Sequence, residues 1–198
     1  RMLMLALALK WQRHLELPTR RVSWTVAEAE AARDRWASQL SDSTAYQPWG
    51  DADHVVNIAQ RHEARYAALC ASFCMEMARR SGTTMRCTVA AVRIGELALA
   101  VVPGELFTEL ALAIQASSPF QHTLILPYCN DNLLYLPTRR DLEEVADWPL
   151  AAFLEQKRNR WAYGATATTF IAPGAGETIV ATLDDLLHDL AAVPYRVK

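Results

Sequence analysis

The stretch Leu97-Ala98-Leu99-Ala100-Val101-Val102-Pro103-Gly104-Glu105 decides the fold of this chain. Its first six residues are all apolar, which is typical of a β-strand that other elements cover on both faces. Pro103 and Gly104 favour a turn, and the spacing of the apolar residues after them predicts a helix that begins near Glu105. A buried strand that turns into an amphipathic helix predicts the α/β class, with a mixed β-sheet and flanking amphipathic helices.

Further strands are predicted on both sides of this stretch. The residues before it alternate only loosely between apolar and polar, and Gly95-Glu96 is short enough to make a hairpin with the Leu97 strand. Short apolar runs elsewhere have the length of strands. The predicted strands are the opening run up to Leu17, residues 86–94, 97–102 and 122–126, and a short one around 165–171.

Helices are predicted from caps and from apolar residues at spacings of three and four. Thr25-Val26-Ala27-Glu28 has the capping-box pattern, which predicts a helix to about Leu40. A long amphipathic helix is predicted over 53–80, and a helical region over 142–160 is broken near Pro149. The last helix follows Pro173-Gly174-Ala175-Gly176-Glu177, and its apolar face comprises Ile179, Leu183, Leu186, Leu187 and Leu190.

The composition limits the classes of function. The chain has 198 residues, of which 52% are hydrophobic and 21% charged, and this fits one domain spanning 1–198. A net charge of −2 gives no broad positive field for nucleic acid or anionic membranes. The apolar run at the start is too short to span a bilayer, so no transmembrane segment is predicted. Because the chain begins on Arg1, we expect a fragment of a longer protein.

Reasoning from local chemistry leaves two interpretations open for Glu105 and for Tyr135. At the first turn of a helix, the Glu105 carboxylate stabilises the positive end of the helix dipole, or it binds a metal ion where the strand ends. In a polar loop, Tyr135 is a packing anchor or, more rarely, a metal ligand. The five histidines show no HExxH spacing, and the four cysteines show no CxxC pair, which favours buried free thiols.

The ordered set of motifs resembles the neutral/alkaline non-lysosomal ceramidase family, in its bacterial ceramidase-like branch. The resemblance covers about half of the chain and corresponds to the C-terminal part of the family's catalytic domain, a larger layered α/β domain. The matching stretches, in the family's order, are Ile94 to Phe107, Ser117-Ser118-Pro119-Phe120, Asn130 to Thr138 and Ala172 to Glu177.

The resemblance implies a zinc-dependent amidohydrolase that cleaves the N-acyl amide of ceramide or a related lipid. It implies Glu105 and Tyr135 as zinc (Zn2+) ligands and Tyr163 as a catalytic tyrosine that donates a hydrogen bond to the developing oxyanion. The family's two zinc histidines belong to an N-terminal segment without a counterpart here, so the isolated fragment is expected to be inactive. Family members are often exported, but the sequence leaves the localisation undecided.

Two alternatives to this function remain. One is a non-catalytic binding or structural module on the same fold. It is favoured by the residues around Tyr163, where Ala162-Tyr163-Gly164-Ala165 follows an apparent insertion and replaces the family's Gly-Gly-Tyr-Glu motif. The other is a hydrolase of a different amide or ester on the same scaffold.

Overall fold

The computed structural model describes residues 8–41, 52–155 and 169–194. No helix within these ranges is long and apolar enough to cross a membrane. The described strands and helices are β1 (Ala8–Pro18), α1 (Val26–Ser41), α2 (Ala52–Arg80), β2 (Thr84–Ile94), β3 (Leu97–Val101), β4 (Glu105–Leu106), α3 (Thr108–Ser117), β5 (His122–Leu126), β6 (Tyr135–Leu136), α4 (Arg139–Glu144), α5 (Leu150–Glu155) and α6 (Ala175–Ala192).

Internal contacts divide the chain into two compact units. The first consists of Arg1–Arg20, Gly82–Val145 and Thr169–Lys198, and the second of Arg21–Ser81 and Ala146–Thr168. All described strands belong to the first unit, whereas α1, α2 and α5 belong to the second. A domain can contain two such units, so the prediction of a single domain over the whole chain stays a prediction.

The first unit is built on a mixed four-stranded sheet with the strand order β1-β2-β3-β5. β1 with β2 and β2 with β3 are antiparallel, whereas β3 and β5 are parallel and are connected through α3. The predicted hairpin between β2 and β3 is confirmed, with Gly95 at a φ of 65°. These strands and their flanking helices confirm the predicted α/β class with a mixed sheet.

The far ends of β1 and β2 are joined by hydrogen bonds between Thr19 and Thr83. The Thr19 amide donates to the Thr83 carbonyl oxygen at 3.0 Å, and the Thr83 amide donates to Thr19 Oγ1 at 3.0 Å. Thr19 also forms an isolated antiparallel bridge with Ile171. The chain therefore leaves the first unit after β1 and returns to it before β2 at neighbouring positions.

Helix α6 supplies the largest apolar contribution to the core of the first unit. It packs against β1, β2 and β3 and also contacts α3. The sequence places leucines and an isoleucine three and four residues apart, which puts them on one face of the helix. That face is buried as predicted, and it comprises Ile179, Leu183, Leu186, Leu187 and Leu190.

The second unit contains α1 and α2 packed together. The predicted capping box is confirmed, because the Thr25 amide donates to Glu28 Oε2 at 2.7 Å and the Glu28 amide donates to Thr25 Oγ1 at 3.2 Å. These bonds from Thr25 lower the pKa of the Glu28 carboxyl. In α2, Cys74 is fully buried, and its carbonyl accepts from Trp24 Nε1 at 3.0 Å. Leu69, in the same helix, is 52% exposed.

Some sequence predictions concern residues outside the described ranges. They include the first seven residues, most of the loop predicted at 41–50, most of the strand predicted at 165–171, and Tyr163.

Truncation of one core leucine tests the packing of α6. We expect Leu187→Ala to lower the free energy of unfolding by about 2–5 kcal/mol, because Leu187 is fully buried and its loss leaves a cavity. Leu112→Ala is the matched control. Leu112 is 57% exposed, so its truncation should change stability by no more than about 0.5 kcal/mol. Urea denaturation followed by circular dichroism measures both, and equal losses would contradict the packing described.

Cysteine labelling tests the burial of β2. Burial raises the pKa of the Cys87 thiol to about 11, and the carboxylates of Asp131 and Glu16 act in the same direction. Because the thiolate is the reactive form, Cys87 should resist iodoacetamide at pH 8, and its labelling should increase as the pH approaches 11. The partly exposed Cys129 should be labelled first at pH 8. Peptide mass spectrometry measures both rates, and equal rates would refute the expectation.

Candidate active site

The site lies where the chain leaves the parallel strands β3 and β5. Val102 continues the parallel pairing beyond β3, since its amide donates to the Leu126 carbonyl at 2.9 Å. Gly104 follows and is buried. A Cβ at this position would lie 2.5 Å from the Leu134 carbonyl oxygen, a distance that side chains essentially never adopt. Glycine is required here because two backbone segments approach each other closely.

Glu105 lies in a strand, which corrects the expectation that it begins a helix. Strand β4 pairs in parallel with β6, and Glu105 lies directly opposite Tyr135 in the register. The Glu105 amide donates to the Leu134 carbonyl at 2.8 Å, and the Phe107 amide donates to the Leu136 carbonyl at 3.1 Å. These bonds extend the backbone, so α3 begins only at Thr108.

The two residues that the resemblance implies as zinc ligands are therefore neighbours in space. Pairing in β4 and β6 brings together a carboxylate and a phenol that are about thirty residues apart in the chain. The ring of Tyr135 also packs edge to face with Phe107, with ring centroids 6.4 Å apart. Glu105 and Tyr135 are both partly buried.

Tyr128 is a third member of the site, which the sequence reasoning missed. Its hydroxyl donates a hydrogen bond to Glu105 Oε2. Its backbone is fixed beside Glu105, because the Tyr128 amide donates to the Gly104 carbonyl at 3.3 Å and the Cys129 amide donates to the Val102 carbonyl at 3.0 Å. The carboxyl ends of parallel strands meet at one edge of a sheet, so proximity of Tyr128 to Glu105 follows once β3 and β5 are known to be parallel.

The pKa values of both phenols near Glu105 are raised above the ordinary value of tyrosine. The hydrogen bond to Glu105, followed by burial and by the negative charges of Glu105 and Tyr135, raises the pKa of Tyr128 to about 12. Burial, then the charge of Glu105 and a hydrogen bond to it, raises the pKa of Tyr135. At neutral pH the Tyr128 hydroxyl is therefore protonated and donates to the Glu105 carboxylate, and Tyr135 lies opposite the same residue in the strand pairing.

Three residues around the site have left-handed backbones although none is glycine. They are Tyr128, Asn130 and Leu134, with φ values of 55°, 70° and 61°. Such conformations cost free energy and persist where surrounding bonds impose them. At Leu134 the amide donates to Asn132 Oδ1 at 2.9 Å, and the preceding Leu133 amide donates to the Pro103 carbonyl at 2.7 Å. Strain of this kind concentrates at functional sites.

The oxygen atoms of Glu105, Tyr135 and Tyr128 are suited to form part of a metal shell. A glutamate carboxylate is an ordinary zinc ligand, and a cation beside a phenol favours its ionised form. The described residues contain no group of three His, Cys, Asp or Glu side chains placed to hold a metal. Among the described histidine side chains, His14 contacts Thr88 and His188 contacts Asp184. The oxygen donors of this chain therefore suit zinc as one part of a coordination shell.

Two solved ceramidase structures match this chain. A ceramidase complexed with C2 has 17% sequence identity and a TM-score of 0.40, and the match covers 57% of this chain and 16% of the ceramidase. The neutral ceramidase from Pseudomonas aeruginosa has 14% identity and a TM-score of 0.44 over 96% of this chain and 30% of the ceramidase. No protein-family model and no curated protein matches the chain.

The chain spans less than a third of the length of either ceramidase. Neither structure assigns an activity or a substrate to this chain.

A methyl group at Gly104 should move β4 away from β6. We expect Gly104→Ala to cost about 1–3 kcal/mol of stability, because the new Cβ collides with the Leu134 carbonyl that holds β4 to β6. The bond from the Glu105 amide should weaken as well, so this amide should exchange hydrogen faster. Hydrogen exchange resolved by NMR measures this change.

Ala116→Ser is the matched control for Gly104→Ala. It also adds one heavy atom, but at an exposed position of α3, and it should change stability by no more than about 0.5 kcal/mol. Unchanged exchange of the Glu105 amide in Gly104→Ala would refute the close approach.

Proposed function

We propose that this chain supplies part of the active site of a zinc-dependent amidohydrolase of the neutral ceramidase type. Glu105 and Tyr135 are two of its zinc ligands, and the remaining ligands are histidines on polypeptide outside this chain. The pairing of Glu105 with Tyr135 across β4 and β6 carries the proposal. The two residues were selected from separate motifs, and the backbone places them opposite each other.

Each residue of the site has a role that follows from its contacts. Glu105 contributes negative charge, and its backbone is held by β6. The Tyr128 hydroxyl donates to Glu105 Oε2 and so limits the orientations of the carboxylate. Phe107 packs against the ring of Tyr135 and restricts its rotation. The side chains of Glu105, Tyr128 and Tyr135 are thereby ordered before any ligand binds. This ordering lowers the entropic cost of assembling the site.

The proposed reaction is hydrolysis of the N-acyl amide of ceramide or a related lipid. When bound, zinc supplies Lewis acidity that polarises the amide carbonyl and lowers the pKa of a water molecule. Tyr163 is proposed as the donor of a hydrogen bond to the oxyanion that forms as water attacks. The isolated chain should show negligible turnover, because the two ligands proposed from this chain do not complete a catalytic zinc shell, which ordinarily has three protein ligands.

A non-catalytic module on the same fold is the second candidate. It is favoured by the absence, within the ranges the structure describes, of any cluster of three His, Cys, Asp or Glu side chains placed to hold a metal. Under this alternative, the Glu105 carboxylate would serve only to accept the hydrogen bond from Tyr128.

Zinc analysis of the full-length protein discriminates between the two candidates. We expect one zinc ion per chain in the wild type and its loss in Glu105→Gln, which keeps the shape of the side chain but removes its charge. Glu109→Gln is the matched control, since Glu109 is exposed in α3 and pairs with Arg140, and it should retain zinc. Elemental mass spectrometry measures the content. A wild type without zinc would refute the proposal and favour the non-catalytic module.

The substrate is tested with the same wild-type protein. Ceramide should be hydrolysed, and short N-acyl amides and esters of similar acyl length should be hydrolysed more slowly. Turnover of the short amides or esters without turnover of ceramide would replace the lipid assignment with a different amide or ester hydrolase.

A further inference from the structure

The start of α6 is bonded to the start of α4, the helix that follows Tyr135. Glu177 lies in the first turn of α6, and its Oε1 accepts a hydrogen bond of 2.6 Å from the Arg139 amide. Thr138 is the N-cap residue of α4, and its hydroxyl oxygen accepts a hydrogen bond from the Asp141 amide at 3.3 Å. Two of the free amides at the start of α4 are therefore satisfied, one of them by a carboxylate from another element.

Gly176 allows this contact to be close. A Cβ at Gly176 would lie 2.8 Å from the Pro137 carbonyl oxygen and 2.7 Å from Leu110 Cδ1. The backbone of α6 therefore lies directly against the residues that link β6 to α4. A larger residue would move these residues away from α6, and Tyr135 is only two positions before Pro137.

The backbone of Tyr135 is held by a third contact. Thr169 is fully buried, and its Oγ1 donates to the Tyr135 carbonyl at 3.0 Å. On the other edge, the carbonyls of Leu134 and Leu136 accept from β4. Tyr135 is thus fixed on one edge by the strand that carries Glu105 and on the other by Thr169.

Glu177 makes its contact with α4 through only one of its two carboxylate oxygens. Glu177 Oε2 is buried and has no hydrogen-bond partner among the residues the structure describes. A buried polar atom without a partner costs free energy, so the single bond from the Arg139 amide to Oε1 is the contribution of this carboxylate to the contact. A glutamine would accept the same bond from Arg139 through its oxygen, and a shorter side chain would not reach it.

We propose that Glu177, Gly176 and Thr169 form a clamp that sets the position of Tyr135 against Glu105. Glu177 is a positioning residue, because it acts on Tyr135 through α4 and does not contact the site. The importance of that position rests on the proposed function, whereas the positioning itself can be measured without zinc. Residues that orient metal ligands typically change metal affinity by about 10- to 100-fold when they are removed.

A fluorine probe on the tyrosine ring tests the clamp. In the full-length protein with 3-fluorotyrosine at position 135, we expect one sharp 19F resonance. Glu177→Ala should broaden or shift this resonance, because α4 loses its bond to α6. Glu177→Gln should preserve it, since the glutamine oxygen still accepts from the Arg139 amide. A sharp, unshifted resonance in Glu177→Ala would overturn the proposal.

Two further variants separate the clamp from general effects on folding. Glu143→Gln is the matched control, because Glu143 lies in α4 and pairs with the side chain of Arg139, at 3.7 Å, instead of its backbone. It should leave the resonance unchanged. Thr169→Val removes one hydroxyl and keeps the size of the side chain, so it tests the clamp if Glu177→Ala does not fold. An unshifted resonance in a folded Thr169→Val would also overturn the clamp.

Zinc affinity gives a second measurement that distinguishes the two proposals. If the wild type binds zinc, Glu177→Ala should weaken its affinity by about 10- to 100-fold, and Glu177→Gln should restore most of it. Equal affinity in wild type and Glu177→Ala would show that the clamp does not act on the metal site. If the wild type binds no zinc, the proposed function fails, and the 19F resonance still decides whether the clamp exists.

Discussion

The packing of α6 against the sheet is the interaction on which the rest of the first unit depends. Its buried face meets three of the four strands, so the free energy gained by removing this apolar surface from water holds the sheet and helix together. The same helix begins at Ala175, and its N-cap residue Gly174 lies next to Arg139, which follows β6. The core and the candidate site therefore share one rigid element.

The candidate site itself is formed mainly by backbone bonds. β3 and β5 are parallel, so the chain leaves both strands at the same edge, and the segments that follow them bond to each other. The pairing of β4 with β6 then fixes which side chains meet. The side chains of Glu105, Tyr128 and Tyr135 add chemistry to a geometry that Gly104 makes possible. The strained backbone at Leu134 is a cost of this close approach.

The sequence predicted the elements of this protein better than the contacts that form the site. Periodicity located α6, and the capping box at Thr25 located the start of α1, because both signals depend on neighbouring residues. The strand at Glu105 was missed, since its hydrogen-bond partners are about thirty residues away and Pro-Gly is equally compatible with a helix start. Tyr128 was missed for the same reason, because its role appears only when β5 is placed beside β3.

The bonds between Thr19 and Thr83 hold together the two ends of the segment that is inserted between β1 and β2. The polypeptide between these residues starts and finishes at adjacent points on one sheet, so its length can change without altering the register of β1 and β2. The entropic cost of closing a loop grows only with the logarithm of its length, so such a change in length has a small effect on the free energy of folding. The polypeptide between Thr19 and Thr83 can therefore be shortened or lengthened while β1 and β2 keep their pairing.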